Sequence, residues 1–216
     1  MPQTQFDRLG STIVDLGNNL ATTEQEITDM ALRLAGAGSQ VGMSEADILS
    51  FAGALSSVGI EAEAGGSAFS TLMSKMNLAT TSGGEDLQAF AQVAGMSSDQ
   101  FAKAFKEDAA GAIISFIQGL DKINKNGGSA IKTLDDMGLS DIRMRDALLR
   151  AAGASGTFTD ALKTGNKAWN ENKALTNEAK QRYKTLESRI KILGNKFTAL
   201  GIAVGDDLKG PLADGV

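Results

Sequence analysis

Helical periodicity in this chain is interrupted repeatedly by the same three-residue punctuation. Gly42-Met43-Ser44, Gly95-Met96-Ser97 and Gly138-Leu139-Ser140 each follow a run with apolar residues three and four positions apart. The glycine suits the position just past a helix end, where φ turns positive. The next residue can act as a hydrophobic staple, and the serine as the N-cap of the following helix. A chain punctuated in this way is predicted to be all-α, built from many helices joined by tight turns. The 25 glycines against 2 prolines agree, because that balance suits glycine-capped helices better than a β-sandwich. A second similarity links Gly65-Gly66-Ser67-Ala68-Phe69 through Leu72 with Gly127-Gly128-Ser129-Ala130-Ile131 through Leu134. A duplicated helical unit is one reading, and reuse of common caps by a glycine-rich helical protein is the other. The unequal spacings argue against a solenoid of fixed period.

Taken in order, Phe6, Leu9, Ile13, Leu16 and Leu20 give a first amphipathic helix. Thr23 and Glu26 form a capping box ahead of Ile27, Met30, Ala31 and Leu34, with the helix end expected near Gly36 or Gly38. Ser44, supported by Asp47, opens a third helix whose buried face is Ile48, Phe51, Ala52 and Leu55, closed by Gly59. From Ile60 to Met76 the apolar phase survives Gly65-Gly66, so one continuous helix is expected there. Each interior glycine costs about 1 kcal/mol relative to alanine, so either the helix breaks there or the missing side chains let another helix pack close. Beyond Gly83-Gly84 and Gly95, Ser97 or Ser98 caps a helix with Phe101, Ala104 and Phe105 on one face. Glu107-Asp108 caps the next, whose Ile113, Ile114, Phe116, Ile117 and Leu120 mark it as the predicted centre of the core. Ser140 with Asp141 opens a helix carrying Arg143, Arg145 and Asp146, read as an exposed face with a local Asp–Arg pair. The small residues Ala151–Thr157 read as a loop ending the globular part.

Composition narrows the chemistry. With no cysteine and no histidine, the chain lacks disulfides, thiolate nucleophiles, zinc–sulfur sites and the commonest general base. Its carboxylates are scattered over polar faces, so no catalytic, cofactor-binding or metal-binding residue is expected, and the chain is read as no enzyme. The start lacks the basic and apolar regions of a secretory signal. The longest apolar candidate, Phe197–Gly205, is about half of a ~18-residue membrane span, so the segment reads as soluble.

The C-terminal third differs. From Ala179 the apolar positions Tyr183, Leu186, Ile190, Leu193, Phe197 and Leu200 alternate steps of three and four, a heptad seam suited to self-association. A long helix folded back on its own domain is the alternative. Charge changes over the same region: residues 1–162 carry net −9, residues 163–196 net +6, and the last twenty −2, which together give the chain's −5. With only Trp169 and Tyr183 to stack on bases, the basic stretch shows no direct nucleic-acid site. It reads as a solvated face, or as a partner for acidic surface on a neighbouring subunit. The predicted organisation is a compact multi-helix globular core over 1–155 and an extended amphipathic or coiled-coil-like helix over 156–205. A truncated tail or linker over 206–216 follows, as of a fragment of a longer protein.

Several blocks, in this order, resemble the core region of bacteriophage tail tape-measure proteins. They are SSVGIEAEAGGSAFSTLMSKM, GGEDLQAFAQVAGMSSDQFAKAF, GLSDIRMRDALLRAAG and NENKALTNEAKQRYKTLESRIKILGN, within roughly Thr22 to Asn195. The order and spacing of the blocks carry the resemblance, and no short motif does. It implies a mostly helical structural protein of the virion that occupies the tail lumen and sets tail length. It also implies homo-oligomers, contacts with tail tube protein and tail-assembly chaperones, and residence in host cytoplasm during assembly. Two rivals remain: a cytoplasmic helical adaptor, and a cell-wall hydrolase module of a tail protein. The second fits poorly with 5% aromatics and one tryptophan.

Overall fold

The computed structural model describes residues 5–209, with side chains as far as residue 195. Among the described residues every regular element is a helix. In chain order these are α1 (Phe6–Asn19), α2 (Glu24–Gln40), α3 (Glu45–Ser57), α4 (Ala62–Ser82), α5 (Gly84–Ala94), α6 (Ser98–Glu107), α7 (Ala109–Lys125), α8 (Ala130–Asp136), α9 (Ile142–Gly153), α10 (Ser155–Glu171) and α11 (Ala174–Lys209). A first compact unit ends at Ala174, and a second begins at Leu175.

The punctuation works locally as its residues dictate. Thr23/Glu26, Ser44/Asp47 and Ser97/Gln100 form complete capping boxes. Asp108 caps α7 by accepting from the Gly111 N–H at 2.9 Å. At the helix ends, Gly42 and Gly95 adopt φ of 81° and 74°. The residue after each donates back five positions, Met43 N–H to the Gly38 carbonyl at 3.0 Å and Met96 N–H to the Ala91 carbonyl at 2.9 Å. Leu139 does the same to Leu134 at 2.8 Å. These are Schellman closures, with the apolar residue tucked back over the turn. The third copy of the punctuation differs at its last position: the cap of α9 is Asp141, which accepts from Met144 N–H at 2.9 Å, and Ser140 is not the cap. The two Gly-Gly-Ser segments also part company. Gly65-Gly66 lies inside α4, whereas Gly127-Gly128 forms the turn before Ser129, the cap of α8.

Glycines without positive φ serve a different purpose. A Cβ on Gly65 would lie 2.9 Å from Met30 Cε, and one on Gly66 would lie 2.6 Å from Arg33 Cβ, so the pair lets α4 close on α2. The uninterrupted α4 expected from the apolar phase is what forms. Gly38 likewise faces Ile48 Cγ1 at 2.8 Å. For this reason α2 does not stop near Gly36 or Gly38; it runs to Gln40 and ends at Gly42.

Two aromatic clusters occupy one continuous core. In the first, α2 packs on α3 and α4, and α10 packs on α1 and α3. Phe51, Phe69 and Phe158 meet there, with ring centroids 5.5 Å apart for Phe51–Phe158 and 6.2 Å for Phe69–Phe158. In the second, α7 lies against α5, α6 and α9, and Phe90 meets Phe116 at 5.4 Å and Phe101 at 6.2 Å. The α7 residues Ile113, Phe116, Ile117 and Leu120 are fully buried. The helix enclosed on all sides is nevertheless α3, where every residue from Ile48 to Leu55 is buried. It belongs to the class of helices apolar all round. The predicted single centre at α7 is therefore half of the answer.

The expected loop at Ala151–Thr157, and with it the boundary at residue 155, gives way to helix on both sides of Ala154. Ala151 and Ala152 are buried in α9, and Phe158, Ala161, Gly165 and Ala168 are buried in α10. A Cβ on Gly165 would overlap Ser50 Oγ, so the small residues are there to bring α10 against α3. Arg8 Nη1 donates to the Trp169 carbonyl at 2.5 Å, and Asn166 Nδ2 to Asp47 Oδ1 at 3.0 Å, fixing α10 to α1 and α3. Helix α10 then stops at Asn172, whose φ of 49° is a left-handed C-cap.

Candidate self-association surface

The feature that stands out in α11 is an uncovered apolar stripe. Tyr183, Leu186, Ile190 and Leu193 are 73%, 54%, 60% and 55% exposed. Because they recur every three and four residues, they lie on one face. The remaining seam positions, Phe197 and Leu200, fall outside the residues whose side chains are described. Ile192 is also exposed but lies off the stripe. Periodicity alone had not singled it out.

The stripe is flanked by charge. Arg182 donates through Nε to Glu178 Oε1 at 2.9 Å, and Lys191 Nζ pairs with Glu187 Oε1 at 2.9 Å. Both are i,i+4 pairs on an exposed surface, and each adds a few tenths of a kcal/mol to helix stability. They do not cover the seam.

The compact unit offers grooves but few converging polar groups. One open groove of ≈ 400 Å³ is lined by Ala89, Gln92, Val93, Ile123, Thr133, Asp136 and Met137. Its carboxylate, Asp136, is held by Lys132 Nζ at 2.9 Å. That pairing raises the Lys132 pKa above its usual value. A second groove, between α4 and α9, contains Glu63, Asp141 and Arg143. Asp141 is already engaged as the α9 cap. Asp146 pairs with Arg150 at 2.9 Å, and Arg145 reaches Asp135 at 3.9 Å, so the local Asp–Arg pair expected on this helix exists with different partners. The other resolved pKa shift belongs to the capping box: hydrogen bonds from the Thr23 N–H and hydroxyl, then from the Thr22 hydroxyl, hold Glu26 below the usual carboxylate value. Both displaced groups thus have structural causes.

Among the described residues, no three His, Cys, Asp or Glu side chains gather as a metal site, and no helix is long and apolar enough to cross a membrane. No protein-family model, curated protein or solved structure matches the chain.

Proposed function

We propose that this chain is a structural segment of a phage or prophage tail tape-measure protein, held in the tail lumen by association of its α11 helices. The order of sequence blocks suggests the family. The observation that carries the structural role is the apolar stripe on α11, which an isolated helix leaves in water. In this reading the compact unit is a helical body without turnover. Tail tube protein and assembly chaperones are its partners, and it passes from host cytoplasm into the virion.

An in-frame duplication of α11 in the parent phage tests the reading. That helix has 36 residues. At 1.5 Å per residue, a copy lying along the tube adds roughly 54 Å. Electron microscopy of purified tails is expected to show that increment. Tails of unchanged length, with the protein recovered only from the cytoplasmic fraction, would favour a helical adaptor.

A further inference from the structure

We infer that Asn126 is a self-modifying site: with water as its co-reactant, the side-chain amide converts to a mixture of aspartate and isoaspartate. The chemistry begins with the backbone nitrogen of the next residue, which attacks Cγ of the asparagine. A C–N bond forms, the Cγ–Nδ2 bond breaks, and ammonia leaves with the proton that the backbone nitrogen gives up. The cyclic imide then takes up water at one of its two carbonyls. Opening on one side gives aspartate. Opening on the other gives isoaspartate, in which the main chain runs through the side chain.

Three features single out Asn126. First, glycine follows it. The attacking nitrogen must come within bonding distance of the side chain, and a Cβ on its own residue obstructs that approach. Of the asparagines in the chain, only Asn126 precedes a glycine; the others precede leucine, lysine, glutamate or asparagine. Gly127 adopts φ of 80°, and nothing lies within 4 Å of where its Cβ would be. Second, the amide is free. Residues 126–129 are all exposed, and the Asn126 side chain makes no hydrogen bond among the described residues. Other asparagines are committed: Asn124 Oδ1 accepts from Ala130 N–H at 2.9 Å, Asn19 Nδ2 donates to the Asp15 carbonyl at 2.7 Å, and Asn166 Nδ2 donates to Asp47 at 3.0 Å.

Third, the turn holds the attacking nitrogen lightly. Asn126 has ψ of 12°, which turns the Gly127 nitrogen away from the Asn126 side chain. Gly127 N–H donates to the Asn124 carbonyl at 3.2 Å, the long end of the range for such bonds. The turn must open before the imide can close, and exposed turns with few buried apolar contacts open at small cost.

The two products act differently on the neighbouring helices. Aspartate adds negative charge at the C-terminus of α7, where the helix dipole disfavours it, and Lys122 in that last turn offsets the effect. Isoaspartate lengthens the main chain between 126 and 127. Gly128 N–H then loses its alignment with the Ile123 carbonyl, now 2.9 Å away, and Ala130 N–H its alignment with Asn124 Oδ1. Those bonds seat α8, whose 7 residues are too few to hold a helix alone. A Cβ on Gly128 would lie 2.9 Å from Ile123 Cγ2, so the turn has little slack for added length.

The test incubates the full chain in mildly alkaline buffer made with heavy-oxygen water, beside the same chain unfolded in guanidinium chloride. Peptide mapping by mass spectrometry then locates the label. Asn126 is expected to gain it ahead of every other asparagine and to give both products, roughly tenfold more slowly when folded than when unfolded. An Asn126→Gln variant should show no labelled product at 126. The isoaspartyl form, separated by ion exchange, should unfold at a lower temperature than the Asn126→Asp variant, which carries the charge without the longer backbone. If Asn126 stays intact in the folded chain while converting in denaturant, the turn protects it and the inference fails. Earlier conversion at another asparagine also overturns it. Equal rates in the two conditions refute gating by the turn, and equal unfolding temperatures refute the part played by its backbone spacing.

Discussion

Gly119 makes an informative substitution, because two effects of known sign compete there. It lies inside α7, where alanine would raise helix propensity by about 1 kcal/mol. A Cβ at that position, however, would overlap the carbonyl oxygen and carbon of Val93 at the end of α5. That neighbour is backbone, fixed by the Schellman turn at Gly95, so it cannot swing aside as a side chain would. Overpacking a core costs about 1–3 kcal/mol even where side chains can yield. A net loss on the order of 3 kcal/mol is therefore expected for Gly119→Ala. In a domain of this size that lowers Tm by about 6–12 °C. Gly36→Ala provides the contrast. Gly36 is helical and exposed, and nothing lies within 4 Å of its added Cβ. Only propensity acts there, so a gain of about 1 kcal/mol and 2–4 °C is expected. Urea and thermal unfolding followed by far-ultraviolet circular dichroism measure both. If Gly119→Ala is as stable as the parent, close approach of α7 to the end of α5 does not limit this core.

The remaining expectations can be checked with the same preparations. Ile117→Asp puts an unpaired charge into a fully buried site and should cost at least about 4 kcal/mol; melting within a few degrees of the parent would refute the placement of α7. Glu26 has its folded pKa below its usual value, so its contribution is present above pH 4.5 and is lost as pH falls through the lower, folded value. Glu26→Gln should accordingly narrow its stability gap to the parent as pH drops below 4.5, in an unfolding series across that range. Alanine at Glu85, Asp86, Glu107, Asp108 or Glu171 should alter biological activity only through folding; a lost turnover with unchanged unfolding would contradict the structural role.

How much of this was legible in the sequence depended on range. Caps and stops are local: Thr23 with Glu26, Ser44 with Asp47 and Gly42 before Met43 act on residues within six positions, and each was readable. Helix ends near Gly36 and Gly38 were misplaced because a glycine can serve two purposes, and the neighbour that decides, Ile48, belongs to another helix. Helix α3 was underrated because its run contains Ser50 and Gly53. The buried Ser50 hydroxyl donates to the Ala46 carbonyl at 2.6 Å, so its polarity is satisfied inside its own helix and does not mark a surface. The Ala-Ala-Gly-Ala-Ser-Gly stretch looked like a loop because small residues carry no periodicity, yet tertiary contact makes them helical. The spacing of Tyr183, Leu186, Ile190 and Leu193 on one exposed face was legible because periodicity needs no partner.

The contrast between α10 and α11 ties these points together. Helix α10 meets its neighbours through Ala161, Gly165 and Ala168, with Phe158 as the large insertion. Such a surface brings backbones together, as Gly165 does beside Ser50, and suits a fixed contact within one chain. Helix α11 presents the opposite surface: Tyr183, Leu186, Ile190 and Leu193 project bulk at heptad spacing, between arginines and lysines. Large knobs need holes of matching spacing, and a second heptad helix supplies them. If the seam associates as proposed, its glycines would keep that association weak in dilute solution, and confinement would raise the effective concentration and with it the paired fraction. On the proposed reading, the lumen of a tube would supply that confinement.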